Sequence, residues 1–198
     1  MKKLLTLILL LGFNIKAQDV KIGTQTWTTK NLDIATYRNG DAIPQVQDKV
    51  KWSNLTTGAW CYYENNTANG TTYGKLYNWY AVNDPRGLAP KGYHIPTDAE
   101  WTILSDNLGG EAGTKMKNTS GWKDNGNGTN TSDFAGLPGG DRFSYGFFSS
   151  IGSDGEWWSS SESSASCAWY RILFNFNVNV DRSYNGKKTG MSLRCVKD

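Results

Sequence analysis

The chain has 198 residues, of which 21 are Lys or Arg and 18 are Asp or Glu, so its formal charge at pH 7 is +3. Three of the basic residues, Lys2, Lys3 and Lys16, lie within the first 17 positions, so the rest of the chain carries 18 basic and 18 acidic residues. A chain without net charge lacks the electrostatic attraction that nucleic acid or an anionic membrane surface would exploit, and we expect neither as a partner.

Residues 1–17 have the parts of a cleavable secretory signal peptide. Lys2 and Lys3 supply a basic start, residues 4–13 form an apolar run, and Ala17 is a small residue before the expected cut. The run is shorter than the roughly 20 residues that span a bilayer, which makes a membrane anchor the less favoured alternative. We therefore expect an exported protein, located outside the cell, at its surface or in the periplasm, with no stable membrane span after cleavage. Residues 18–198 are expected to form a single domain.

Nine Trp, ten Tyr and 22 Gly are typical of a loop-rich fold with aromatic anchors and not of a helical bundle. Residues 20–28 predict two short strands around Gly23 and Thr24, with Ile22 and Trp27 as apolar anchors. Residues 37–58 are polar and irregular. The first part of the chain thus predicts short elements joined by long loops.

Two helices are predicted in the middle of the chain. Residues 73–82 place apolar side chains at helical spacing, which favours a short amphipathic helix. Thr97 and Glu100 form a capping box that predicts a helix over 98–108, with Gly109 as its C-terminal stop. Residues 118–133 are rich in Asn and Gly and are predicted to be a loop.

The last third of the chain predicts strands at 143–151, 156–160, 168–174 and 191–196. Residues 174–181 alternate strictly between apolar and polar side chains, which predicts a strand with Phe and Val on a core face. The opposite face would carry a row of short hydrogen-bonding side chains, namely Asn175, Asn177, Asn179 and Asp181. This row is either a binding surface or an ordinary solvated strand face.

Seven segments of the chain form a recognisable series. In chain order they are IGTQTW…NLD, YGKLYNWYAV, APKGYHIPTDAEW, GLPGGDR, WWSSSES, AWYR and SLRCVKD. Together they resemble the Fibrobacter succinogenes major paralogous domain, a family of exported bacterial proteins. The resemblance runs over about residues 19–198. It implies an α+β domain similar to the C-type-lectin-like fold, with two short helices, an antiparallel sheet and long loops.

The resemblance also implies a function and a site. Members of this superfamily present ligands on their last strands and loops, so we expect a non-catalytic binding or adhesion module for a glycan or a surface protein. The Asn/Gly-rich loop around 125–130 would adjoin this surface. Calcium-binding motifs of sugar-binding members are absent, and we expect neither a metal nor a cofactor. The matching positions, whose types suit adaptable contacts, are Asn175, Asn177, Asn179, Asp181, Ser183 and Tyr184.

Three cysteines in an oxidising compartment allow at most one internal disulfide, and the residues alone leave all three pairings open. Many members of the family have a Cys where Ala89 stands here, and its absence makes Cys61 the preferred partner of Cys195. Cys167 lies where the related formylglycine-generating enzymes carry a catalytic cysteine. Those enzymes hold copper with two thiolates, and no second Cys precedes Cys167 nearby, so this copper oxidase is the less favoured alternative.

The sequence gives less support to two other kinds of catalytic site, a Ser-His-Asp triad and a pair of catalytic carboxylates. His94 is the only His, and it stands directly before a capped helix, where a structural role is favoured over a Ser-His-Asp triad. Glu100, Glu156 and Glu162 would have to converge in space to form the carboxylate pair of a glycoside hydrolase.

Overall fold

The computed structural model describes residues 19–198, and the predicted signal peptide lies outside the described residues. The strands are β1 (Asp19–Ile22), β2 (Gln25–Thr28), β3 (Trp60–Cys61), β4 (Leu76–Tyr77), β5 (Tyr93–His94), β6 (Asp141–Arg142), β7 (Phe148–Ser149), β8 (Asp154–Glu162), β9 (Cys167–Phe174), β10 (Asp181–Gly186) and β11 (Val196–Lys197). The helices are α1 (Lys49–Ser53), α2 (Thr67–Tyr73), α3 (Trp79–Val82), α4 (Asp98–Leu108) and α5 (Ala112–Met116), with a 3-10 turn at Tyr63–Asn65.

The strands form several small antiparallel sheets. A four-stranded sheet has the order β1-β2-β11-β5, and a three-stranded sheet has the order β10-β9-β8. Two further pairs, β3-β4 and β6-β7, form short ribbons. The predicted α+β class is therefore confirmed. The expectation of two helices and one sheet was wrong, because within residues 19–198 five short helices alternate with four sheets.

Helix α4 forms as its capping box predicts. The Thr97 hydroxyl accepts a hydrogen bond from the Glu100 amide at 3.2 Å, and the Glu100 carboxylate accepts one from the Thr97 amide at 2.8 Å. Trp101 and Leu104 lie on the buried face of the helix, and Trp101 packs against Trp27 with ring centroids 4.7 Å apart. This helix anchors one of the main core clusters.

The predicted helix over residues 73–82 was wrong in its first half. Helix α2 ends at Tyr73, and Leu76 and Tyr77 then pair with Cys61 and Trp60 as strand β4. After β4, helix α3 contains only four residues, and it begins after Asn78, whose side chain accepts a hydrogen bond from the Ala81 amide. Most side chains of this segment are buried. Their apolar character therefore reflects burial and does not indicate one apolar face of a helix.

Two of the four strands predicted late in the chain are confirmed, at 156–160 and 168–174, within β8 and β9. The predicted strand at 143–151 was wrong, because β6 and β7 are joined by a tight turn that is held by Arg142, whose Nε donates to the Gly146 carbonyl. Residues 191–196 were also predicted as one strand. They instead make isolated bridges to Tyr77 and Trp157 before β11 begins at Val196.

Long loops are held in place by buried cationic side chains that donate to main-chain carbonyls. Arg194 is 1% exposed and donates to the carbonyls of Thr28, Phe134 and Ala135 and to the Asn31 side chain, all within 3.0 Å. Arg142 donates in the same way to the carbonyls of Val46 and Gln47. Loops therefore behave as fixed parts of the fold although they contain little regular structure.

None of the helices between residues 19 and 198 combines the length and the apolar character that crossing a bilayer requires.

Candidate binding surface

The segment predicted as a strand with an Asn face is a turn. Strand β9 ends at Phe174 and β10 begins at Asp181, so residues 175–180 form a loop, which we call the 175–180 loop. The prediction was wrong because the Asn side chains bond to the local chain. Asn177 accepts from the Asn179 amide at 3.0 Å and donates to Asp181 at 2.8 Å.

The loop exposes two of the four side chains that were assigned to the core face. Phe176 is 80% exposed and Val178 is 46% exposed, although the alternating pattern assigned both to the core. The Phe176 ring stacks on the Phe174 ring, with centroids 5.0 Å apart and an interplanar angle of 21°. An exposed aromatic ring with a fixed orientation is a feature typical of binding surfaces.

Lys117 fixes the shape of the loop from below. Its side chain is buried, and its ammonium group donates to the carbonyls of Phe174 at 3.0 Å, Asn175 at 3.4 Å and Asn177 at 3.0 Å. Burial lowers the pKa of Lys117 from its usual value. The ammonium protons are satisfied by three carbonyl oxygens, so the loop is bound to the core without a carboxylate partner.

Two neighbouring segments enclose the loop. Gly113 of α5 lies so close that a Cβ there would stand 2.3 Å from the Asn179 carbonyl oxygen, which explains why this helix carries glycine at the contact. The Asn175 side chain donates to Asp124 at 3.1 Å, within the Asn/Gly-rich segment. Residues 118–133 are indeed a loop, and their contact with the 175–180 loop places both on one surface.

The six predicted site residues do not share one face. In the register of β10 with β9, Asp181 and Ser183 lie on the side of Ile172 and Tyr170, whereas Tyr184 pairs with Trp169 and points the other way. Tyr184 and Asn179 are exposed, and Asn175, Asn177, Asp181 and Ser183 are half-buried. The structure therefore divides the predicted row into two exposed residues and four half-buried ones.

The exposed side of β10 is rigid. Tyr184 is 61% exposed and packs edge-on against the Trp169 ring with centroids 5.6 Å apart, while the Arg182 guanidinium lies 3.4 Å from the centroid of the same ring. Arg182 and Arg171 both bond to Asp98 at the start of α4. Burial alone would raise the pKa of Asp98, but hydrogen bonds from the two guanidinium groups lower it.

Sequence reasoning missed Phe176, Lys117 and Arg182 as parts of this surface. Phe176 was assigned to the core by its alternation with polar residues. The carbonyl partners of Lys117 lie 57 to 60 positions along the chain, so no local signal could have found this contact.

The sequence model of the Fibrobacter succinogenes major domain matches residues 20–197. The chain belongs to the Fibrobacter succinogenes major domain family. No curated protein and no solved structure matches it.

In this member of the Fibrobacter succinogenes major domain family, all three cysteines are free thiols. Cys61 and Cys195 are buried in two different core clusters, so the structure does not contain the predicted bridge between them. Burial raises the pKa of each of these two thiols to about 12. Cys167 is half-buried at the start of β9, and its sulfur lies 3.7 Å from the Ser166 hydroxyl.

The glutamates considered for catalysis do not converge. Glu100 bonds to His94 and to Thr97, Glu162 bonds to Lys187, and Glu156 lies among Asp141 and Asp154. Both ring nitrogens of His94 are occupied, by Glu100 and by Asp198, each at 2.8 Å. Within residues 19–198 no group of three or more His, Cys, Asp or Glu side chains is arranged to hold a metal ion.

Lys117→Met should loosen the 175–180 loop without unfolding the domain. Three carbonyls would lose their donor, at about 1–3 kcal/mol for a buried unsatisfied group. We expect hydrogen exchange at the Asn177 and Asn179 amides to accelerate by about one to two orders of magnitude. Lys123→Met, which removes an exposed ammonium beside the same surface, is the control and should leave exchange unchanged. Equal exchange in both variants would contradict the assigned role of Lys117.

Proposed function

We propose that this chain is an exported, non-catalytic binding module of C-type-lectin-like architecture that presents its ligand surface on the 175–180 loop and strand β10. Its ligand is a glycan or a surface protein outside the cell. The observation that carries the proposal is the exposed Phe176 ring, held on a loop that the buried Lys117 fixes from below. Fixing a loop before binding lowers the entropy lost on association.

Several contacts support this surface over other parts of the molecule. Asn179 and Tyr184 add an exposed amide and an exposed phenol, and both types make adaptable or rigid contacts in known binding loops.

The copper-oxidase alternative has less support, because Cys61 and Cys195 are each buried in a core cluster and the Cys167 sulfur lies beside the Ser166 hydroxyl. Copper-dependent oxidation of a sulfatase-type peptide that is lost on Cys167→Ser would favour that alternative.

Phe176→Ser should weaken ligand binding by at least about tenfold, since truncating a central aromatic contact typically costs more than 1 kcal/mol. The measurement is binding to a glycan array and to a panel of purified bacterial surface proteins, followed by titration of any hit. Tyr145→Ser is the matched control, because Tyr145 is an equally exposed aromatic on the turn between β6 and β7. Equal binding by wild type and Phe176→Ser would show that the surface lies elsewhere.

A further inference from the structure

A cleft of about 290 Å³ lies beside helix α3, at the end of the three-stranded sheet opposite to the 175–180 loop. We call it the α3 cleft. It is formed by four separate parts of the chain: residues 56–58, residues 79–86, Glu162 at the end of β8 and Lys187 after β10. Its volume corresponds to a small ligand at the lower end of the range for small-molecule sites.

The walls of the α3 cleft are fixed. Asn78 is fully buried, and its side chain joins the two walls by accepting from the Ala59 amide at 2.9 Å and donating to the Thr57 carbonyl at 2.8 Å. Gly58 lets residues 56–58 pack closely against helix α3, since a Cβ there would lie 2.0 Å from the Tyr37 hydroxyl and 2.9 Å from the Ala81 Cα. The cleft is therefore a built feature of the fold and not a gap between mobile loops.

The charges in the cleft are paired. Glu162 accepts from the Lys187 ammonium at 2.6 Å, and Arg86 donates to both carboxylate oxygens of Asp84 at 2.8 and 2.9 Å. Hydrogen bonds from Arg86 lower the pKa of Asp84 to about 2, so this carboxylate is ionised at neutral pH. Two cations and two anions leave the lining without net charge, which disfavours a charged ligand.

Hydrogen-bonding capacity remains at the pair formed by Glu162 and Lys187. The Lys187 ammonium donates to Glu162 and to the Ala165 carbonyl and lies 4.7 Å from the centroid of the Trp79 ring, so its third proton has no oxygen acceptor within the described residues. Glu162 uses Oε1 for Lys187, and its Oε2 makes no hydrogen bond within the part of the chain that the structure describes. The cleft thus presents a donor and an acceptor side by side.

We propose that the α3 cleft is a second binding site, for one or two rings of an uncharged saccharide. Neighbouring hydroxyl groups on a sugar ring both donate and accept, so they match the adjacent Lys187 proton and Glu162 oxygen. The half-buried Tyr80 ring supplies apolar surface for the C–H groups of the sugar. The exposed hydroxyls of Thr56 and Thr57 complete a polar rim.

The test is ligand-observed NMR on the purified protein with neutral methyl glycosides and disaccharides, beside a panel of free amino acids. We expect at least one neutral saccharide to bind. Glu162→Gln should weaken that binding at least tenfold, because it replaces a charged acceptor by a neutral one. Glu111→Gln, which changes an exposed carboxylate outside the cleft, should leave binding unchanged, and melting temperatures verify that both variants fold.

The proposal is overturned if no neutral saccharide binds, if only amino acids bind, or if Glu162→Gln binds as wild type does. Its failure is distinguishable from failure of the proposed loop surface through Phe176→Ser. That variant should keep full saccharide binding in the α3 cleft while losing the ligand of the 175–180 loop.

Discussion

Arg194→Met should destabilise the domain by about 3–5 kcal/mol, which is close to the largest effect a single substitution produces. The methionine fills much of the same space but donates nothing, so three main-chain carbonyls and the Asn31 side chain lose a donor. These acceptors belong to strand β2, the segment at Phe134–Ala135 and the loop at Asn31, which the guanidinium joins through hydrogen bonds. The ring of Phe134, whose centroid lies 4.5 Å from the guanidinium, loses its cation contact as well.

Equilibrium urea denaturation at pH 7 measures this effect, and Arg86→Met is its matched control. Arg86 has two carboxylate partners, Asp84 and Asp41, yet its side chain is partly exposed. Exposed ion pairs contribute about 1 kcal/mol or less, so the control should remain close to wild type. If Arg194→Met were no less stable than Arg86→Met, the guanidinium would not be holding these loops together.

The parts of the fold that could be predicted are those whose cause is local. Helix α4 follows from Thr97 and Glu100, which are three positions apart and whose side chains each bond to the other's backbone amide. Strand β9 follows from its dense apolar and aromatic residues, and β8 from the Trp157–Trp158 pair at its centre. The α+β class and the family follow from the order of such segments along the chain.

The parts that could not be predicted depend on contacts distant in sequence. The Thr28 carbonyl lies 166 positions from Arg194, and no pattern links the two. The 175–180 loop shows a second cause, since strict alternation is compatible with a turn when Asn side chains bond to nearby backbone. Leu173 and Val180 occupy the apolar contact beneath the loop, so Phe176 is left at the surface.

The segment proposed as the binding surface therefore has a different geometry from the predicted one, a turn instead of a strand face. Its position followed from the family resemblance, whereas its shape depends on Lys117, Gly113 and Asp124, which come from other segments. Asn175 and Asn177 were expected to contact ligand. Their side chains instead donate hydrogen bonds to Asp124 and Asp181, which hold the loop in shape. Substituting them would alter loop shape and ligand contact together, which is why Phe176 gives the sharper test.

Three neighbouring carboxyl groups, those of Asp141, Asp154 and Glu156, predict how the folding stability depends on pH. Asp141 is 2% exposed, and its Oδ2 has no hydrogen-bond partner within the described residues. Burial and the nearby Asp154 raise the pKa of Asp141 to about 7, and burial together with Asp141 and Asp154 raises the pKa of Glu156 well above its usual value. The guanidinium of Arg142, next in sequence, is directed instead at carbonyls of Val46, Gln47 and Gly146.

The sign of the effect follows from proton binding. Between about pH 4 and pH 7 the folded chain keeps the Asp141 proton that the unfolded chain has already released, so folding stability falls as pH rises through this window. A rise in pKa from 3.8 to about 7 corresponds to a loss of about 2–4 kcal/mol when completed. Asp141→Asn keeps the shape but cannot ionise. It should therefore flatten the pH dependence and make the domain more stable than wild type at pH 8.

Chemical denaturation at pH 5, 6.5 and 8 measures this prediction, with Asp41→Asn as the control. Asp41 is exposed, and hydrogen bonds from Asn39 and Arg86 lower its pKa, so it stays ionised throughout this range in both states. The control should therefore lose stability between pH 5 and pH 8 as wild type does. Parallel curves for wild type and Asp141→Asn would mean that Asp141 is ionised in the folded protein at every pH measured. In that case Glu156, the more deeply buried of the two neighbouring carboxyl groups, would have to hold the proton, because adjacent buried carboxylates cannot all stay ionised without a counter-charge.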